Sequence, residues 1–213
     1  MKPLIIGVLS LLGVAALLWA QAPTESLRSL IPNGDMETDA DGDGVPDIWE
    51  AAGNPEYVTQ RLSGDAGRDG GRSLRLDCSQ IEPVRPDAHA MVCQMGQVAV
   101  KAGQWYKLVL WTKQQRLDET AISIALSNTQ GWSNLGLSDS FLATGEWQEK
   151  VFYFRATDDA RETTRLQVWY TSPGMLWLDD ISMVETTYES GPTLVWPSAG
   201  RRNLVPNGSF ELG

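Results

Sequence analysis

Short runs in which apolar residues alternate one by one with other residues are the feature of this sequence that most restricts its fold. Tyr106, Leu108 and Leu110 alternate with a lysine, a valine and a tryptophan, and Phe152 and Phe154 flank a tyrosine. A period of two is typical of a β-strand with one buried face. No long apolar stripe with the 3.6-residue period of a helix follows the first 22 residues.

Nine such runs are separated by Gly, Pro, Asp and Asn, the residues that favour turns. They cover residues 29–36, 57–62, 73–78, 90–100, 105–113, 121–127, 149–155, 165–170 and 175–184. Many short strands joined by turn signals predict an all-β fold, here a jelly-roll β-sandwich of two antiparallel sheets.

Residues 1–22 have the features of a signal peptide. Lys2 is followed by an apolar run that extends to Trp19, and the sequence A-Q-A then provides a small-x-small cleavage pattern. An uncleaved membrane anchor is the alternative. Cleavage predicts a secreted protein, whether periplasmic, extracellular or attached to the cell surface, with no membrane contact after removal of the leader.

Charge and composition restrict the partners and the chemistry. The net charge is −10, from 27 acidic and 17 basic residues. A surface this acidic repels phosphate backbones, which excludes nucleic acid, and it suits divalent cations. Cys78 and Cys93 form either one disulfide or two free buried thiols. With His89 as the single histidine, little scope remains for a zinc site or for histidine-based catalysis.

An internal repeat indicates more than one module. The sequence L-I-P-N-G-D-M-E, which begins at Leu30, returns as L-V-P-N-G-S-F-E, which begins at Leu204. We therefore expect one complete module at residues 27–187, a linker at 188–202 and the first strand of a truncated second module at 203–213. Further domains are expected in a longer protein.

The segment 39–50 reads D-A-D-G-D-G-V-P-D-I-W-E and matches the twelve-residue calcium loop of EF-hands. In a tightly wound loop, alternate side chains converge on one point, and the glycine at position six permits the sharp turn. The predicted ligands are the side chains of Asp39, Asp41, Asp43, Asp47 and Glu50 and the backbone carbonyl of Val45.

Two features separate this segment from an EF-hand sensor. Pro46 occupies a position where a flexible apolar residue is usual, and no amphipathic helix flanks the loop. We therefore predict a structural calcium loop inserted between strands. The alternative is an acidic surface turn that binds no metal.

Sugar binding requires aromatic rings that stack on pyranose faces, together with polar groups that bind hydroxyls. Strand alternation turns several such side chains away from the predicted core, and Trp132 lies in a predicted loop. If the strands concerned share one sheet, its concave face carries both kinds of group. The candidates are Trp111, Trp132, Tyr153, Arg155, Gln167 and Trp169. The alternative is that neighbouring segments cover these residues.

A series of motifs extends over residues 27–185. In order along the chain these are N-G-D-M-E at 33–37, V-P-D-I-W at 45–49, A-G-Q-W-Y-K-L at 102–108, G-E-W-Q at 145–148 and L-W-L-D-D-I-S-M at 176–183. The ordered set resembles the CenC-type carbohydrate-binding modules of families four, nine and twenty-two.

The resemblance implies a galactose-binding-domain-like jelly roll with a structural calcium where the first and last strands meet. Its acidic ligands correspond here to Glu37 and to Asp179 or Asp180. Strand alternation groups Asp180 with Leu176 and Leu178, which favours Asp180. Two calcium ions, or one site shared with the loop, are both compatible with the sequence.

Three functions follow from these observations. The favoured one is a non-catalytic, calcium-stabilised carbohydrate-binding module that binds a polysaccharide or oligosaccharide and belongs to an exported, multi-domain carbohydrate-active protein. A calcium-stiffened spacer of a cell-surface protein is the second. A small jelly-roll glycoside hydrolase is the third, and it would need two carboxylates facing each other across a groove.

Overall fold

The computed structural model describes residues 28–82, 85 and 87–187, which contain ten β-strands. The predicted signal peptide, linker and second-module strand lie outside the described residues. The strands are β1 (Glu50–Gly53), β2 (Val58–Ala66), β3 (Arg72–Ile81), β4 (Ala90–Met95), β5 (Trp105–Gln115), β6 (Ile122–Asn128), β7 (Asn134–Phe141), β8 (Gln148–Arg155), β9 (Thr164–Tyr170) and β10 (Gly174–Thr186).

Two five-stranded sheets form the fold. Sheet one has the order β1-β4-β9-β6-β7, and sheet two has the order β2-β3-β10-β5-β8. Every pairing between these strands is antiparallel. The prediction of an all-β jelly-roll sandwich is confirmed.

The core lies between the sheets and follows the alternation seen in the sequence. Tyr106, Leu108 and Leu110 on β5 and Phe152 and Phe154 on β8 are buried. Leu166, Val168 and Tyr170 on β9 are buried from the side of sheet one. The Tyr170 hydroxyl donates to the Leu76 carbonyl of the opposite sheet at 2.9 Å. Burial of these apolar faces is the main force that holds the sheets together.

The prediction of a strand at 29–36 is wrong. Asn33 and Met36 have φ values of 46° and 61°, in the left-handed region, and neither pairs with a neighbouring strand. The segment is a series of turns that docks on β10, where Leu30 N donates to the Met183 carbonyl at 2.7 Å. The predicted strand at 90–100 also ends early, at Met95, because Gly96 turns the chain with a φ of 65°.

Two of the ten strands, β1 and β7, were not predicted from the sequence. β1 is only four residues long and has the sequence E-A-A-G, and β7 reads N-L-G-L-S-D-S-F. Both lie at the edges of sheet one and contain few of the β-branched residues that mark strands. Their place in the fold depends on pairing with β4 and β6.

A bulge interrupts β10 where the turn segment docks. The register with β5 shifts between Asp179 and Ser182, and Asp180 has a φ of 47°. The Ile181 amide of the bulge donates to the Gly34 carbonyl at 2.8 Å. A side chain on Gly34 would overlap the Ile181 carbonyl, so the motif residue must be glycine for the segment to approach this closely.

We therefore expect Gly34→Ala to lower the free energy of unfolding by about 1–3 kcal/mol, the usual cost of overpacking. Chemical denaturation followed by tryptophan fluorescence measures it. Gly145→Ala is the matched control, because its added methyl group meets no atom within 4 Å. Equal effects of the two substitutions would contradict the close docking.

Candidate functional site

The six predicted sugar-binding residues do not share one sheet. Gln167 and Trp169 lie on β9 in sheet one, whereas Trp111 lies on β5 and Tyr153 and Arg155 lie on β8 in sheet two. Alternation gives the side of a strand that a residue occupies, but it does not tell which sheet the strand joins. The outward faces of the two sheets are therefore two separate candidate surfaces.

The outward face of sheet one, here called the β9 face, is built around its central strand. The residues on the outer side of β9 are Arg165, Gln167 and Trp169, which alternate with its core residues. Each lies about 7 Å along the strand from the next. Trp132 in the β6–β7 loop is 60% exposed, and its ring lies 4.4 Å from the Arg165 guanidinium carbon. Three of the six predicted residues thus come together here.

Small side chains border this row on one side and larger ones on the other. Ser123, Ala125 and Ser127 of β6 lie opposite the row in register. On the β4 side, the register partners are Met91, Cys93 and Met95. The outward side chains of β6 are therefore smaller than those of β4 along the whole row.

Two polar atoms of the β9 face are buried without a hydrogen-bond partner. They are Arg165 Nε and Gln167 Oε1. Buried polar atoms in native proteins are nearly always paired, so such orphans indicate a place where a ligand or water completes the bonding. The face therefore offers a donor and an acceptor between two tryptophans.

Glu50 belongs to this face and not to the acidic loop. Its register partner is Cys93, and its Oε1 atom lies 3.7 Å from the Cys93 sulfur. The prediction that Glu50 closes the calcium loop is wrong, because Ile48 takes a φ of 67° and Trp49 is buried, so that the chain turns away into β1.

Arg165, Glu50 and Cys93 are residues of this face that sequence reasoning missed. Burial, with the nearby Glu50 carboxylate, raises the pKa of the Cys93 thiol to about 12, so it stays neutral and unreactive. Cys78 is buried in the core from sheet two, and both cysteines are free.

The outward face of sheet two is occupied by the protein's own side chains. The Arg68 guanidinium lies 4.2 Å from the ring of Trp111. Lys113 Nζ lies between Trp147 and Trp177, at 4.8 and 5.0 Å from their rings. Cation–π contacts of this kind stabilise the sheet, and each covers one face of the ring that it contacts.

The two other predicted sugar-binding residues of sheet two, Tyr153 and Arg155, differ in their surroundings. Tyr153 is 49% exposed. Arg155 donates from its Nε atom to the Gly103 carbonyl at 2.9 Å, so it secures the loop before β5. Neither lies near Trp132 or the β9 row in the strand order.

The acidic loop brings Asp39, Asp41 and Asp43 together, with one carboxylate oxygen of each within 4.8 Å of the others. Asp39 has a side chain only 7% exposed, and its Oδ2 atom accepts a bond from Arg72 Nη2 at 2.9 Å. Its Oδ1 atom is buried and makes no hydrogen bond. Arg72 holds the pKa of Asp39 below its usual value, so the carboxylate is charged.

Asn33 and Asp47 hold the loop in shape. The Asn33 amide nitrogen donates to the carbonyls of Thr38 and Asp47, both at 2.9 Å, and its oxygen accepts from the Thr38 amide. The Asp47 carboxylate accepts from the Ala40 amide at 3.1 Å. Val45 donates from its amide to the Asp43 carboxylate at 2.7 Å. Three converging carboxylates with an orphaned oxygen fit the all-oxygen ligand set of calcium.

The acids implied by the family resemblance are arranged differently. Glu37 accepts from the Arg72 amide at 2.7 Å, and Asp179 accepts from the Arg68 amide at 2.9 Å. Asp180 pairs with the Arg68 guanidinium at 2.6 Å. Each of these acids is thus bonded to a protein donor, and none of them belongs to the carboxylate cluster of Asp39, Asp41 and Asp43.

The reason for favouring Asp180 over Asp179 was also wrong. Alternation fails at the β10 bulge, and Asp179 is the buried carboxylate, 5% exposed. Burial raises the pKa of Asp179.

Comparisons with known proteins agree with this fold. No protein-family model matches the sequence, and no curated protein matches it. Among solved structures, a family 4 carbohydrate-binding module has a TM-score of 0.50 at 18% identity, over 73% of this chain and 99% of that one.

Two further solved structures match a similar share of this chain. The xylan-binding domain CBM22-1 from Paenibacillus barcinonensis has a TM-score of 0.52 at 12% identity, over 75% of this chain and 95% of that one. A putative sugar binding protein from Bacteroides thetaiotaomicron has a TM-score of 0.52 at 11% identity, over 75% of this chain and 100% of that one.

At these identities the likeness is one of fold. The described residues contain no helix long and apolar enough to span a membrane. The resemblance to CenC-type carbohydrate-binding modules, first seen in the motifs, is confirmed by the structural neighbours at the level of the jelly-roll fold.

Proposed function

We propose that this chain is a non-catalytic, calcium-stabilised carbohydrate-binding module, exported from the cell as part of a longer carbohydrate-active protein. The β9 face carries the proposal. Trp169 and Trp132 provide ring surfaces at its two ends, and the unpartnered atoms of Arg165 and Gln167 lie between them. Stacking rings with interspersed hydrogen-bonding groups are what a sugar chain requires.

The open form of the face supports a polymeric ligand. A surface cleft of about 290 Å³ lies between Ser29 and Ser182, on the side of the turn segment, and a second cleft is lined by residues 99–101 and 159–161. Neither includes residues of the β9 row. A sheet face that belongs to neither cleft is suited to a chain that lies along it and extends beyond it.

The distribution of carboxylates supports binding without catalysis. On the outward positions of the described strands of sheet one, Glu50 is the single carboxylate. Glycoside hydrolysis generally needs two carboxyl groups about 5–10 Å apart on opposite sides of the scissile bond. One carboxylate beside a neutral thiol does not provide that pair.

Binding by the β9 face predicts that Trp169→Ala weakens the affinity for the bound polysaccharide at least tenfold, because a stacking surface is lost. Trp111→Ala, on the other sheet, should leave affinity within about twofold. A glycan array first identifies the ligand, and isothermal titration calorimetry then measures both variants, with melting temperatures recorded to exclude unfolding.

The opposite result for the two tryptophans would move the site to sheet two. No binding of the wild-type protein to any glycan, together with a calcium-dependent rise in melting temperature, would favour the spacer function.

The calcium part of the proposal rests on the acidic loop. Asp39, Asp41 and Asp43 would supply carboxylate oxygens, with the Val45 carbonyl as a further predicted ligand. The ion would relieve repulsion among the three carboxylates and fix the loop beside Arg72 at the start of β3. Its role would be structural.

Calcium at one hundred times its dissociation constant should therefore stabilise the protein by about 2.7 kcal/mol, as mass action requires. Differential scanning fluorimetry with calcium and with a chelator measures the change. Asp41→Asn should remove most of the shift, whereas Asp139→Asn, an exposed aspartate on β7, should retain it. A melting temperature independent of calcium would refute the metal site and leave the sugar site untouched.

A further inference from the structure

Three described arginines, Arg68, Arg75 and Arg165, have a buried Nε atom without a hydrogen-bond partner, and of these three only Arg165 has no aspartate partner. Arg68, Arg72 and Arg75 each pair with an aspartate at 2.6–3.1 Å. The Arg165 guanidinium makes no hydrogen bond or ion pair with any described residue, and its Nε atom is buried and unsatisfied. A buried N–H group without a partner costs free energy unless a water molecule or a ligand accepts its hydrogen bond.

The position of Arg165 prepares it to bind an anion. Its guanidinium lies against the ring of Trp132, so the plane of the group is held by stacking. Stacking leaves the N–H groups at the edges of the plane free to point at a ligand. Two parallel N–H groups of a guanidinium match the two oxygens of a carboxylate, which is the geometry of bidentate recognition.

No described side chain next to Arg165 competes for it. Its register partners are Met95 on β4 and Ser127 on β6, neither of which is charged. Glu50 lies two strands away, opposite Cys93, and its Oε1 atom contacts the Cys93 sulfur. The β9 face therefore has its acid on the β1 side and its free cation beside the β6–β7 loop.

The net charge of −10 limits which anions this cation can attract. A densely charged polyanion is repelled by the molecule as a whole, whereas one carboxylate in contact with Arg165 is attracted at short range. At physiological salt, repulsion beyond about 8 Å is screened. A polymer whose carboxylates are separated by neutral sugars can place one carboxylate at Arg165 while its other charges lie beyond the screening distance. It is therefore repelled less than a uniform polyanion.

We infer that the β9 face selects a polysaccharide in which uronic acid residues are interspersed among neutral sugars, and that the uronate carboxylate binds the Arg165 guanidinium while neighbouring sugars stack on Trp132 and Trp169. This inference rests on the proposed function, since it names the class of ligand for the same site. Arg165 is its specificity-determining residue.

The test compares each polymer with its own carboxyl-reduced form, which has the same backbone and no charge. Glucuronoxylan and gum arabic carry sparse uronates, alginate carries dense ones, and dextran sulfate carries sulfate esters. Isothermal titration calorimetry in 150 mM salt should show at least tenfold weaker binding of a sparse uronate polymer after reduction. Alginate and dextran sulfate should bind more weakly than the sparse polymer.

Variants of the protein assign the effect to one side chain. Arg165→Gln should bind the native and the reduced polymer equally, at the level of wild type with the reduced form. Arg165→Lys should recover only part of the difference, because an ammonium group cannot form the bidentate pair. Arg61→Gln, an exposed arginine on β2, is the matched control and should behave as wild type.

The failures are distinguishable. Equal binding of native and reduced polymers by wild type, with both lost in Trp169→Ala, would overturn the uronate inference and leave the sugar site standing. Preference for dextran sulfate, or binding only to neutral glycans on the array, would also overturn it. Loss of all glycan binding in the wild type would remove the proposed function and the inference together.

Discussion

The hydrogen bond from the Ile181 amide to the Gly34 carbonyl joins the turn segment, which leads into the acidic loop, to the last strand of sheet two. It fixes the turn segment to the bulge of β10, at the point where the last strand leaves its regular register. From there Asn33 holds the acidic loop through its side-chain amide, and its carbonyl accepts from the Trp49 indole at 2.9 Å. The acidic loop and the start of β1 are thus connected to sheet two through this segment, and the pairing of Asp39 with Arg72 adds a second connection.

The sequence predicted the buried sides of the strands well because side-chain alternation is a local property. It predicted Tyr106 and Phe154 as core residues and Trp169 as an outward residue, and the structure places them so. Sheet membership depends on pairing between distant strands, which no single run reveals. For that reason Trp111 and Trp169 were grouped on one face and lie on two.

Deviations from ideal backbone geometry account for the other failures. Asp180 was favoured over Asp179 as a calcium ligand because of strand alternation, but its own left-handed conformation interrupts that alternation. The left-handed conformation of Ile48 directs Glu50 away from the loop. Non-glycine residues in this region are uncommon and have no simple sequence pattern. The spacing of Asp39, Asp41 and Asp43 did predict their convergence, because a tight loop acts over a few residues only.

The two sheets also show how the same residue types serve different ends. On sheet two, Arg68 lies over the ring of Trp111 and is paired with Asp180, so its charge is neutralised within the fold. On sheet one, the arginine stacked on Trp132 has no such acid. A closed network stabilises the fold, whereas an open one leaves bonding capacity for a partner.

The free thiols of Cys78 and Cys93 bear on the conditions in which this protein can fold. The two side chains belong to different sheets, one facing the core and the other facing outward, and no disulfide joins them. Cohesion between the sheets of the described residues therefore depends on apolar burial and hydrogen bonds rather than on a cross-link. Refolding in reducing and in oxidising buffer should yield the same folded sandwich.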